Sequence, residues 1–515
     1  MTAVAHASVS PPRVHRRLPT RWRDAISFTI VGLPFLGAII RTFRGSGRLG
    51  GDDALTELAV RAVGTHAVLV GPYSRFGWNH PGPLYFYVLA PFYWLFGADG
   101  RAITAGAILI GLTSALTILV FARRRGGSGL MLWTAFVLAL FLWHLDEAFW
   151  NSWPPFVTLL PIVAFLFAAW SFACVDRWAL PIAVAMGSFA VQTHIGHAPL
   201  VLGIGVAALI VWLVRVRRRP EILRAWRSPV VIAVGLFVLA WIPPMIDAVA
   251  HDPSNVEQLW DFRADRAHLE AQTVGEGWVA ATHGLSGFLG GRSELADNVI
   301  SGRSTSWPSL LTMSGLVLAA AIVTRRRRWD VLVLLGLVVV AFALSVYAVS
   351  QVAGPLFNHL VLWTSVLSVM AWVAVGAGVL PEVERFRVAG PMTAAVAMLG
   401  LTALTLAWPG IAPADAGSSD FEAMVSRVER QVPADRPVVV RLANDPLWPW
   451  GTALVSGLRQ DGFDVHGERR KGAMSIVFEP RDLKAERPDD VVVTVVWSPS
   501  ECGNTEVCAP ISGPT

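Results

Sequence analysis

Charge is what this 515-residue chain has little of: Asp, Glu, Lys and Arg together make 15% of it, against 54% hydrophobic residues and a mean hydropathy of +0.52. A soluble domain carries roughly 25% charged residues, so a water-soluble globular fold is excluded and the chain reads as a polytopic membrane protein. Cysteine is also scarce, and three thiols cannot staple a disulfide scaffold. Cys174 lies near the end of an apolar run, whereas Cys502 and Cys508 share a polar C-terminal region, where a pair suggests an oxidising compartment. No small-residue cleavage site follows the first apolar run. Arg13, Arg16, Arg17, Arg21 and Arg23 before it therefore read as the cytoplasmic flank of a retained anchor, not as a signal peptide. No internal repeat is present, which removes the inverted-repeat transporter pattern. The net charge of +5 and pI near 9.5 do not point to nucleic acid, because the arginines cluster at the ends of apolar runs as topology determinants do.

Apolar runs of the length a bilayer requires fall at 25–43, 103–122, 130–149, 154–173, 178–195, 198–214, 229–248, 308–324, 331–349, 355–378 and 389–408, about eleven transmembrane helices. Residues 83–97 are apolar but short, aromatic and broken by Pro91. If they stay on the outer face, sixteen of the Lys and Arg residues in loops between 123 and 387 lie inside and only Arg263, Arg266, Arg292 and Arg303 outside. The positive-inside rule selects that topology and makes 83–97 an interfacial or re-entrant helix. The chain then divides into a cytoplasmic basic tail (1–24), a transmembrane domain (25–410) with outer loops 41–102 and 249–307, and an extracytoplasmic C-terminal α/β domain (411–515). In the last region, valine runs at 437–442 and 491–496 predict strands and 449–461 predicts a helix.

Polar residues collect on the outer side. The first outer loop holds Asp52, Asp53, Glu57, His66, Arg75, Asn79 and His80. Later loops bring His144, Asp146, Glu147, Trp150 and Asn151, then His194 and His197, then Asp247, His251, Asp252 and Asn255, then Asn358 and His359. Ionisable groups at membrane depth cost about 2.5–3.5 kcal/mol each, so a set this size at one interface needs more than the polarity of loops to explain it. His194 and His197 have zinc-like spacing, but no third ligand is adjacent. No cofactor is demanded by these residues; a divalent cation shared by Asp52 or Asp53 and a phosphate is the arrangement the carboxylates would allow. Asp52 and Asp53 also suit the first turn of the amphipathic helix that follows them. The glycine-rich stretch 284–291 reads equally as a mobile lid or as a turn-rich segment.

One motif order stands out. An Asp pair before an amphipathic helix is followed by His80-Pro81-Gly82-Pro83-Leu84-Tyr85-Phe86-Tyr87, closing on Trp94-Leu95-Phe96-Gly97, and then by many spans. It resembles the C-type (GT-C) membrane glycosyltransferases, nearest the phosphomannose-protein mannosyltransferase-like and aminoarabinose-transferase-like branch. Trp241-Ile242-Pro243-Pro244-Met245-Ile246-Asp247, with Pro253-Ser254-Asn255 after it, is similar to the corresponding segment of actinobacterial members. Two departures are visible: Asp53 stands where the family has Glu, and Asn151 stands where many members carry an acid, unless Asp146 or Glu147 serves. The resemblance implies a polyprenyl-phosphate-linked sugar donor, an extracytoplasmic acceptor in the envelope (wall glycan, lipid or protein), and transfer with inversion. Asp52 is then the expected general base, with Asp53 as alternate or positioning group. Expected substrate-binding residues are Arg75, His80, Tyr85, Asn151, His194, His197, Asn358 and His359, with Arg75 and the histidines 80, 194 and 197 meeting the leaving phosphate. Tyr85, Phe86 and Tyr87 read first as interfacial anchors. A non-catalytic scaffold would have no need to bring Asp52, His80 and residues 194–197 to one cavity.

Overall fold

The computed structural model describes residues 19–218, 220–266, 269–293, 307–383, 389–410, 418–470, 472–501 and 507–511. Cys502 lies outside them; Cys508 is disulfide-bonded and Cys174 is a buried free thiol.

Among the described residues, eight helices are long and apolar enough to cross a bilayer. The longest, Gly100–Phe149, is two helices, because Gly126 and Gly127 leave helical geometry (Gly127 φ 69°, a value that suits glycine). Two of the other expected spans are occupied by the shorter apolar helices Ala179–Thr193 and Met392–Ala407. The first membrane helix, α1 (Thr20–Arg44), already starts inside the stretch expected as tail, and Arg41 and Arg44 close its last turn. Burial differs sharply between spans and follows from sequence. Leu159–Ala173 has no polar face at all and every residue of it is buried, which makes it the central helix of the bundle. Arg227–Ala250 exposes Val231, Leu239 and Val249, surface that only lipid would cover.

Two short helices lie between the first two spans: α2 (Gly51–Ala62) and α3 (Leu84–Leu95). At about 1.5 Å per residue, the 12 residues of α3 reach about 18 Å, short of the roughly 30 Å hydrocarbon core. It packs instead on α2 and on the helix from Gly100, burying Tyr85, Phe86, Leu89 and Tyr93.

The C-terminal region is a five-stranded all-parallel sheet of order β3-β2-β1-β4-β5: β1 Val438–Leu442, β2 Val465–Glu468, β3 Leu483–Lys484, β4 Val491–Val496 and β5 Val507–Pro510. Val438 is in register with Val465 on one side and Val491 on the other. Parallel pairing requires crossovers, and the helix Trp448–Gln460 supplies the one between β1 and β2. This domain docks on α2. Arg48 binds the Gly457 carbonyl, Gln460 and Asp461, and a side chain on Gly50 would overlap the Phe421 ring.

The stretch 284–291 is packed rather than open. It ends the helix Val274–Ser286 and continues as Gly287–Gly290, with Gly284 pressed against the Thr364 backbone and Gly287 (φ 43°) against Ser368. The glycines permit close helix approach there.

Candidate active site

Helix α2 carries Asp52 and Asp53 in its first turn, where the exposed backbone N–H groups favour negative charge. Neither is the N-cap, which is Gly50 and makes no side-chain cap bond. Both carboxylates are held by other elements. Tyr73 donates its hydroxyl to Asp52, and burial keeps that phenol protonated by raising its pKa. Ser152 Oγ donates to Asp53 Oδ1 at 2.6 Å, and the Ser152 carbonyl is in turn fixed by the buried Tyr85 hydroxyl at 2.6 Å. Burial raises Asp53 to about 6; the Ser152 hydrogen bond pulls it down and the neighbouring Asp52 charge pushes it up.

One helical turn further, Glu57 is fully buried and accepts three hydrogen bonds: from Tyr93 (2.8 Å), Ser456 (2.6 Å) and Gln460 (2.6 Å), with Arg61 at 3.7 Å. Two of these partners belong to the C-terminal domain, so the helix that holds the aspartates is fastened from both sides.

Opposite the aspartates stands a histidine cluster. The His80 and His194 ring centroids are 4.6 Å apart, His194 and His197 5.0 Å, and His359 stacks beside Phe357 and Trp153. His80 Nδ1 accepts the Ile195 N–H at 3.2 Å, which fixes the loop to the turn between two spans. Burial lowers His194 to about 4, helped by His359, and lowers His80 well below the usual histidine value, helped by His194 and His197. These imidazoles are therefore neutral near pH 7 and act as hydrogen-bonding groups, not as cations.

Asp52, Arg75, His80, His194 and His359 line one cavity of about 790 Å³, within the roughly 300–1,000 Å³ of small-molecule sites. Its other walls are the helix Asn255–Asp265, the residues 347–360, and the C-terminal domain through Val477, Glu479 and Asp482. Three guanidinium groups face it. Arg75 lies over Phe76 and Phe357, Arg266 is held by Gln351, and Arg263 makes no hydrogen bond or ion pair with the described residues. The first outer loop and the helix Asn255–Asp265 are locked together by Asn79 and Asn255, which exchange side-chain-to-backbone bonds at 2.7 and 2.8 Å. Among the described residues no group of three or more His, Cys, Asp or Glu is arranged to hold a metal ion.

The remaining sequence candidates stand behind the wall. Tyr85 supports Ser152, Asn151 accepts the Trp153 N–H at 2.7 Å, His197 Nε2 pairs with Thr158 Oγ1 at 2.9 Å, and Asn358 is buried at the start of a short helix. Asp53 also lies outside the cavity lining, behind Asp52. Tyr73, Ser152, Arg263, Arg266 and Glu479 were not among the expected site residues. Arg263 and Arg266 had a legible signal, since they are two of only four basic residues in the outer loops between 123 and 387.

No family model matches this chain, and no curated protein matches its sequence. Its similarity is to solved structures. It superposes on ArnT from Cupriavidus metallidurans bound to undecaprenyl phosphate with a TM-score of 0.50 and 15% identity, over 92% of this chain and 90% of that one. The apo state of the same protein gives a TM-score of 0.52 and 13% identity, over 91% and 89%. At such identity the likeness concerns the fold alone: this chain shares the fold of these ArnT structures.

Proposed function

We propose, from the GT-C fold and the cavity built onto it, that this chain is a membrane glycosyltransferase. It would move a sugar from a polyprenyl-phosphate donor to a hydroxyl of an extracytoplasmic envelope acceptor, with inversion. One observation carries the reading: a single cavity joins Asp52, His80, His194 and three arginines drawn from separate loops. Supporting it, the related ArnT structure holds undecaprenyl phosphate. A transporter would place ionisable groups at mid-membrane, whereas the cavity polar groups here sit on loops and helix ends.

The chemistry follows from the side chains. The acceptor oxygen attacks the anomeric carbon while Asp52 takes its proton, and the bond from that carbon to the phosphate oxygen breaks with its electron pair leaving on the phosphate. Negative charge on Asp53 beside Asp52 raises the proton affinity of the base. Arg75, Arg263 and Arg266 offer positive charge to the leaving phosphate, and His80 and His194 offer neutral donors. Trp260 and Val256 are exposed on the helix that carries Arg263, a surface suited to the polyprenyl tail.

The test is label transfer by membranes containing wild type or Asp52→Asn, with a panel of radiolabelled polyprenyl-phosphate sugars and crude envelope as acceptor. Asp52→Asn is expected to lose about 10²–10⁴-fold in rate at equal expression. Equal rates would move the base to Asp53, and a wild type inactive with every donor would sink the reading.

A further inference from the structure

The cavity has a carboxylate end and a guanidinium end. Glu479 feels the charges of Asp247 and His251, which immediately precede the helix Asn255–Asp265, while Arg263 and Arg266 stand at that helix's other end. At about 1.5 Å per residue, the two ends are roughly 12–16 Å apart. The guanidinium end adjoins the exposed Trp260 and Tyr347, where a lipid-linked donor would enter. An inverting displacement needs the acceptor oxygen on the face of the anomeric carbon opposite the leaving phosphate. That leaves the carboxylate end for the acceptor.

This end is built by the C-terminal domain. The connection from β2 to β3 runs through the short helix Ala473–Val477 and the turn Pro480–Asp482, and presents Val477, Glu479 and Asp482 to the cavity. It is held in place at both ends: the Ala473 N–H bonds Asp445 at 2.9 Å, and Asp482 is bonded by Arg459 at 2.6 Å. Arg481 lies 3.8 Å from Asp482, and Glu479 feels its charge as well, without an ion pair between them. Glu479, half-buried, makes no side-chain hydrogen bond or ion pair with the described residues. A half-buried carboxylate that no described side chain bonds, on a fixed wall, suits a ligand that brings its own donors. Two neighbouring hydroxyls of a sugar ring do so for the two oxygens of one carboxylate.

We propose that residues 477–482 form the acceptor subsite, in which Glu479 accepts hydrogen bonds from the hydroxyls of a carbohydrate acceptor. This rests on the glycosyltransferase reading above. It assigns the C-terminal domain a part in substrate selection.

The experiment uses the full chain in lipid nanodiscs, with two readouts for wild type, Glu479→Ala and Glu479→Gln. The first is the affinity for undecaprenyl phosphate. The second is transfer from the radiolabelled donor to graded amounts of protease-treated envelope polysaccharide. Glu479→Ala is expected to raise the acceptor KM by about tenfold or more with undecaprenyl phosphate affinity unchanged. Glu479→Gln, which keeps a carbonyl acceptor of the same shape, should raise it only a few-fold. An unchanged acceptor KM in Glu479→Ala, or a parallel loss of undecaprenyl phosphate affinity, overturns the proposal. Glu479→Gln as damaging as Glu479→Ala would mean a cationic acceptor and would overturn the carbohydrate assignment. A wild type that neither binds undecaprenyl phosphate nor transfers label removes the glycosyltransferase reading itself.

Discussion

Asp52 and Asp53 are adjacent in sequence yet have different surroundings: one faces the cavity with Tyr73, the other turns to Ser152 behind it. The difference predicts a pH signature. As pH falls through about 6, Asp53 takes up a proton, the charge that raises the basicity of Asp52 disappears, and transfer slows. Ser152→Ala removes the hydrogen bond that favours ionised Asp53, so the acid limb of the pH–rate profile should move upward by roughly one unit. A profile identical to wild type would detach Asp53 from the chemistry. The Asp pair drew attention in the sequence because it opens an amphipathic helix ahead of the His80-Pro81-Gly82-Pro83 segment. Ser152 and Tyr73 did not, since one lies 99 positions from its aspartate and only the packing of separate loops brings either within reach.

At the scale of elements, α2 is the joint of the molecule. Leu55 and Leu58 belong to the same apolar cluster as Met424, Leu454 and Val477 of the C-terminal domain, and Glu57 is buried at the centre of that contact. Glu57→Ala strands the Ser456, Gln460 and Tyr93 donors, at a cost of about 3 kcal/mol. Limited proteolysis should then release the C-terminal domain at lower protease concentration than in wild type; equal resistance would mean that apolar contact alone holds it. Sequence pattern found the elements whose periodicity is strong. β1 and β4 showed as valine runs because a parallel strand is buried on both faces, and the helix expected at 449–461 is present as Trp448–Gln460. β2, β3 and β5 escaped because Val465–Glu468, Leu483–Lys484 and Val507–Pro510 are too short to establish a period. The sequence left 284–291 open between a lid and a turn-rich segment because glycine serves close packing and turns alike, and only the structure shows its neighbours at Thr364 and Ser368.

For the whole molecule, the cavity and the C-terminal domain share one end of the bundle, while Arg125, Arg215, Arg328 and Asp330 gather at the other. Arginine placement predicts that the second end is cytoplasmic. With Cys174 buried and Cys508 in a disulfide, Asp435→Cys should react with a membrane-impermeant maleimide in intact cells and Arg325→Cys only after lysis. The reverse pattern would invert the topology and put the proposed acceptor on the wrong side. The docking of the C-terminal domain has a further consequence, for engineering and descent. Arg48, Gly50 and Glu57 interlock with Phe421, Ser456, Gln460 and Asp461, so the domain is not an interchangeable cassette. A chimera that imports a foreign C-terminal half must import the matching residues 48–58 with it, and the two segments should change in concert between related chains although some 400 positions separate them.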